Sequence, residues 1–156
     1  VTGIDDERAW GIRDRVRSVA PIAAFASIAG LTDPRSWAWR REWLFKAPKT
    51  TMSTLAGFRD DAAWEFRWAV AADCKEVFDS IIGLHDRQAW DLRTAHHDRW
   101  PSTAVKSLGP LADGDRGHSF VLRLLTLFPD HVSLLKHTSA IALGLHRAHA
   151  TDARAA

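Results

Sequence analysis

The sequence predicts an all-α fold, a right-handed α-solenoid of about five short helical hairpins, and three observations carry that prediction. A Trp-x-x-Arg motif recurs at Trp10, Trp37, Trp64 and Trp90, spaced 27, 27 and 26 residues apart, with Arg13, Arg40, Arg67 and Arg93 as its cations. An acid opens each copy (Asp5-Asp6, Asp33, Asp60-Asp61, Asp86) and a backbone breaker closes it (Gly30, Gly57, Gly83, Pro110). No segment alternates apolar and polar residues with the period of two that a half-buried strand requires.

The first half of each copy reads as a helix. An Asp ahead of an apolar periodic run is an N-cap, accepting from the orphan amides of the first turn and favoured by the helix dipole. The small residue before each Trp (Ala9, Ser36, Ala63, Ala89), the apolar one two later (Ile12, Trp39, Phe66, Leu92) and the one six later (Val16, Trp43, Val70) fall within about 60° of one another on a helix. His96 interrupts that stripe in the fourth copy.

The second half reads as a shorter helix. Pro21, Pro48 and Pro101 stand where its first turn begins, a place that loses nothing by lacking an amide; Cys74 holds that column in the third copy. Apolar columns follow at Phe25, Met52, Phe78, Val105, at Ile28, Leu55, Ile81, Leu108, and at Leu31, Phe58, Leu84, Leu111. A hydroxyl column, Ser27, Thr54, Ser80 and Ser107, runs between them. Neither helix buries its stripe alone, so neighbouring hairpins must stack. The copies span 5–31, 32–58, 59–84 and 85–111. A degenerate fifth copy and cap covers 112–149, opening at Asp113 with Phe120 in the Trp column, then Leu122 and Arg123. From Pro129 the segment reads as a longer capping helix, with TDARAA as a frayed tail. The 156 residues form one helical-repeat domain. With no initial Met and a repeat that starts almost at once, the chain is expected to be the C-terminal part of a longer protein.

Composition narrows the function classes. Hydrophobic residues make up 46% and charged ones 26%, which suits a folded globular chain. The 21 cations and 19 anions are interspersed and the net charge is only +2, so charge alone gives no case for nucleic acid. A lone Cys74 excludes an internal disulfide and any multi-cysteine metal site, and fits a reducing, cytoplasmic compartment. No apolar run approaches the roughly 20 residues of a membrane helix. The opening VTGIDDERAW has neither the basic nor the apolar segment of a signal peptide.

The Asp-x-x-x-Trp-x-x-Arg spacing resembles that of HEAT-type helical repeats, which also carry an Asp and an Arg in register. The phrases DDERAW, SLGPLADGDRG and SLLKHTSAIALG resemble helical-repeat extensions of bacterial thymidylate kinase-like proteins, a similarity that spans nearly the whole chain. It implies an accessory module beside a catalytic domain. It carries over no kinase chemistry, because nothing matches G-x-x-x-x-G-K-[ST].

The Trp-x-x-Arg ladder has two readings. It lines a groove that stacks bases or peptide side chains, or each Trp fills the gap between hairpins while each Arg bonds a neighbour's carbonyls or acids. A residue repeated in every copy answers a packing problem that every copy shares, so Trp10, Trp37, Trp64, Trp90, Arg13, Arg40, Arg67 and Arg93 are assigned to structure. Departures from the repeat mark candidate binding residues: Trp68 outside the stripe, Trp100 beside Pro101, His97 and Lys106.

All eight histidines lie from His85 onward. His146 and His149 have i, i+3 spacing and His96 could join Asp98, but no third ligand is placed by spacing, so no metal or cofactor is expected. There is no G-x-S-x-G, and the carboxylates read as caps or solvated charges, so no catalytic residue is assigned. The expected function is a non-catalytic interaction scaffold for a protein partner or for the parent's catalytic domain. The alternatives are an accessory region of a thymidylate kinase-like nucleotide kinase and a backbone-directed nucleic-acid binder using the Arg ladder with Lys46, Lys49, Lys75 and Lys106. No membrane contact is expected.

Overall fold

The computed structural model describes residues 2–136, which are all-helical with no strand among them. The tail and the larger part of the expected capping helix, with His146 and His149, lie outside the described residues. The chain divides into two compact units, Val1–Ser80 and Ile81–Ala156. No helix among the described residues is long and apolar enough to cross a membrane.

In the first unit α1 (Glu7–Arg17), α3 (Pro34–Trp43) and α5 (Asp61–Val70) are the longer helices, and α2 (Pro21–Ala26) and α4 (Pro48–Ser53) the shorter ones. The second unit holds α6 (Arg87–His96), α7 (Pro101–Lys106) and α8 (Asp115–Leu127). The aspartates cap as their position predicts. Asp6, Asp60 and Asp86 each accept from the amide three residues on, at 2.6, 3.0 and 3.0 Å, and Asp33 accepts from both Arg35 and Ser36. Each shorter α-helix begins on its proline, Pro21, Pro48 or Pro101. The residue before it is held out of helical geometry, as the proline ring demands.

The third hairpin departs from this plan. Its second helix is a 3-10 segment, Lys75–Ile81, and Cys74 precedes it. Cys74 donates its amide to Val70 as Ala20 does to Val16 and Ala47 to Trp43, so it fills the place before the proline and Lys75 fills the proline's own place. One residue is therefore missing between the two halves. A 3-10 helix rises about 2.0 Å per residue against about 1.5 Å in an α-helix, so five steps from Lys75 to Ser80 reach as far as six from Pro21 to Ser27. The shorter 26-residue spacing is absorbed there.

The closing turns place Gly30, Gly57 and Gly83 at φ +86°, +82° and +72°. In the fourth hairpin, where Pro110 holds the breaker column and its ring fixes φ negative, the left-handed residue is the preceding Gly109, at φ +53°. The fifth copy is likewise shifted. α8 is capped at Gly114, not Asp113, and buries Gly117, Val121 and Leu124. Counted from that cap, Phe120 falls in the apolar column beside the Trp column, Val121 falls in the arginine column, and Leu122 and Arg123 are exposed.

The first unit's core gathers Trp10, Phe25, Ile28, Leu31 and Trp39, with Val16 and Trp43 packed against it. The second unit's core gathers Trp90, Val105, Leu108, Val121, Leu124 and Leu134. On the first hairpin Ile12 and Val16 are half-buried. Phe25 is fully buried, because Trp43 of the following hairpin stacks on it with centroids 5.5 Å apart.

Candidate functional site

The repeated arginines are consumed inside the fold. Arg40, Arg67 and Arg93 have no exposed surface and Arg13 has almost none. Each Nε donates to the hydroxyl column of its own hairpin, to Ser27, Thr54, Ser80 and Ser107 at 3.1, 3.0, 3.0 and 2.9 Å. Each Nη2 also reaches the carbonyl of that hydroxyl residue. A further bond runs backward, from Arg40 to the Ile28 carbonyl, from Arg67 to Leu55 and from Arg93 to Ile81, at 3.2, 2.8 and 2.9 Å. These carbonyls lie at the closing turns of the preceding hairpins, where each also accepts a turn amide, from Leu31, Phe58 and Leu84 respectively. One guanidinium thus bridges two successive hairpins.

Arg40 and Arg93 have no carboxylate within ion-pair distance among the described residues. Burial pushes the guanidinium pKa of Arg40 and of Arg93 down to about 10, opposed by the N-cap aspartates Asp33 and Asp60 for Arg40 and Asp86 for Arg93. Each arginine also lies over the indole of its own motif, at 4.7, 4.6, 4.5 and 5.0 Å from the Trp10, Trp37, Trp64 and Trp90 rings.

The four candidate surface residues do not behave alike. Trp68, on α5 in the first unit, is 37% exposed. In the second unit Lys106 is exposed at the end of α7, and Trp100 is half-buried with the Arg99 guanidinium 5.3 Å from its ring. The Trp100 backbone closes the hairpin, donating to His96 and accepting from the Thr103 hydroxyl. His97 does not belong to a surface: it is 5% exposed, its Nδ1 donates to the Thr94 carbonyl at 2.7 Å, and its ring packs near Phe120. It sits on the buried side of the last helical turn, where the short run His96-His97-Asp98 gave no sign of which member points inward.

Cys74 is buried, and its thiol is pushed up to about 11 by burial and by the neighbouring Glu76. A thiol so disposed is a poor nucleophile at neutral pH. No group of three or more metal-ligating side chains occurs among the described residues.

One feature escaped the sequence reading: an open cleft of about 380 Å³ between α3 and α5. Its walls include Trp37, Leu44, Phe66 and Val70, with Arg41 and Glu65 among its polar groups. The equivalent place between α1 and α3 is filled by ion pairs. Arg35 pairs with Asp14 and Glu7 and lies 4.7 Å over the Trp10 ring; Arg17 pairs with Glu42 and lies 5.1 Å over Trp39. Counted from the caps, Ala62 replaces Arg35 and Ala69 replaces Glu42, while Arg41 stands at the place of Asp14 and Leu44 at that of Arg17. The signal lay in exposed columns, which the alignment of buried ones passes over.

No protein-family model, curated protein or solved structure matches the chain.

Proposed function

We propose that the chain is a helical-repeat interaction module, its hairpins stacked as a right-handed α-solenoid, that binds a protein partner or the catalytic domain of its parent. The observation that carries this reading is the use of the repeated residues. The Arg and Trp columns are spent on holding hairpin to hairpin, which leaves the non-repeating outer positions to make contacts. The role proposed for this chain is non-catalytic, and an accessory place beside a nucleotide kinase-like domain is one form of it. A cytoplasmic setting fits the single thiol of Cys74.

The nucleic-acid reading loses its main carriers, because Arg40, Arg67 and Arg93 are buried. Lys46, Lys49, Lys75 and Lys106 are exposed, Lys46 with its ammonium 3.2 Å from the Glu42 carboxylate. Two measurements test the proposal. X-ray scattering should give a radius of gyration above the roughly 15 Å of a compact chain of this length; a compact value would remove the solenoid. Photo-cross-linking from position 68 in cells should capture a defined protein segment that survives nuclease. Micromolar binding to a labelled duplex at physiological salt, weakening steeply as salt rises, would replace the proposal with the nucleic-acid reading.

A further inference from the structure

We infer that the cleft between α3 and α5 is a docking slot for an acidic side chain carried beside an apolar anchor on a partner peptide. This rests on the reading of the chain as a protein-interaction module and names the site and chemistry of its partner.

Equivalent places along the chain are covered differently. The Trp10 ring has Arg13 at 4.7 Å and Arg35 also at 4.7 Å; the Trp90 ring has Arg93 at 5.0 Å and Arg116 at 4.4 Å. Arg35 and Arg116 are both the second residue after the cap of the following helix, and Ala62 occupies that position for Trp37. The covering guanidinium is thus missing from Trp37. Ala62 and Ala69 remove two long side chains at once, and the cleft opens where they would have lain.

Charge decides what belongs in that space. Between α1 and α3 an acid on the earlier helix, Asp14, answers a base on the later one, Arg35. Between α3 and α5 the earlier helix instead presents Arg41, and the later one answers with Ala62. The pair is inverted and its acidic half is absent. Arg41 makes no ion pair with any described residue. A carboxylate beside it would restore the pair, and an apolar side chain next to that carboxylate would cover the indole of Trp37 and the ring of Phe66. Burial of an aromatic or aliphatic anchor supplies affinity, while the paired charge sets register and selectivity. Glu65, also at the cleft, disfavours a second acid at its own position and confines the requirement to the Arg41 side.

The test titrates the protein with the peptide acetyl-Leu-Phe-Asp-Glu-amide, its counterpart with two lysines in place of the acids, and a third with two serines. The indole amide resonance of Trp37, assigned by Trp37→Phe, is the readout. The acidic peptide should shift it saturably and bind at least tenfold tighter than the lysine peptide. Arg41→Glu should invert that order, Glu65→Gln should leave the acidic peptide bound as well or better, and Ala62→Trp should abolish binding by filling the cleft. Ala62 and Arg41 are exposed, so these variants keep the fold, which circular dichroism checks. Tighter binding of the lysine peptide would overturn the assigned chemistry and leave the interaction module standing. No preference among the three peptides, or saturation unaffected by Ala62→Trp, would overturn the slot itself. Silence of all three would do the same, and cross-links from position 68 would then still stand for the broader reading.

Discussion

Arg40 donates to the carbonyl oxygen of Ile28, twelve residues behind it, at 3.2 Å, and so ties α3 to the end of a helix in the preceding hairpin. The same side chain bonds Thr54, fourteen residues ahead. A fully buried cation without a carboxylate partner is normally costly. Here the Ile28 and Thr54 carbonyls and the Ser36 and Thr54 hydroxyls replace its water. The guanidinium fork reaches them in several directions at once, which an ammonium cannot do.

That arrangement makes the arginines pillars of stability. Arg40→Ala or Arg67→Ala takes a donor from several buried acceptors and removes the packed stem, costing about 3 kcal/mol. At roughly 2–4 °C per kcal/mol for a chain this size, the melting midpoint should drop by about 6–12 °C. Lysine at either position should rescue little. Arg123→Ala, on the exposed face of α8, should move the midpoint scarcely at all. Unchanged midpoints for both ladder variants would refute the structural role.

Acid should weaken the fourth hairpin. Burial, and then the charge of Arg99, hold the His96 pKa below its ordinary 6.5. The unfolded chain therefore binds the proton more readily than the folded one, so stability rises with pH through the window just below 6.5 and is lost on acidification. Val16 and Val70 occupy the equivalent place elsewhere. Thermal melts between pH 7.5 and 5 should show a smaller midpoint loss for His96→Val than for the natural chain; parallel curves would contradict the assignment.

Two glycines separate backbone strain from crowding. Gly57, at φ +82°, has nothing within 4 Å of an added Cβ, so Gly57→Ala should cost only the left-handed penalty of about 1–2 kcal/mol. At Gly109 the added carbon would meet Ile82 Cγ2 at 3.2 Å as well as the strain of φ +53°. Gly109→Ala should therefore lower the denaturation midpoint more, and Ile82→Ala should bring the two variants closer together.

The third hairpin offers a constructive test. Inserting a proline between Cys74 and Lys75 restores the residue missing there and provides the first-turn proline of the other hairpins. The variant should fold, gain helical ellipticity and melt no lower than the natural chain. An equivalent insertion between Ala20 and Pro21 breaks a complete register and should lower the midpoint. Equal loss from both would show that the 3-10 segment is not a length correction.

The buried columns were legible because every hairpin meets the same packing demand; Trp10, Trp37, Trp64 and Trp90, their arginines and the Asp caps lie where the spacing placed them. The fifth copy was misread because Asp113 and Gly114 both make acceptable helix starts, and only the burial of Gly117 and Val121 fixes which one caps α8. Cys74 stands in the proline column only if the two halves of its hairpin are full length, and spacing alone cannot reveal whether the missing residue lies before or after it. The cleft was invisible for another reason. Its meaning resides in what Ala62 and Ala69 fail to fill, and an alanine on a helix surface carries no signal until the packed neighbour pair is known.

The backward bond from each arginine also sets an order on synthesis. When a nascent chain has emerged only as far as Gly30, the end of α2 still lacks the guanidinium that Arg40 will bring. Each of the first three hairpins is thus completed only once the arginine of its successor has emerged. The series ends at Val121, which has no donor to offer the hairpin before it.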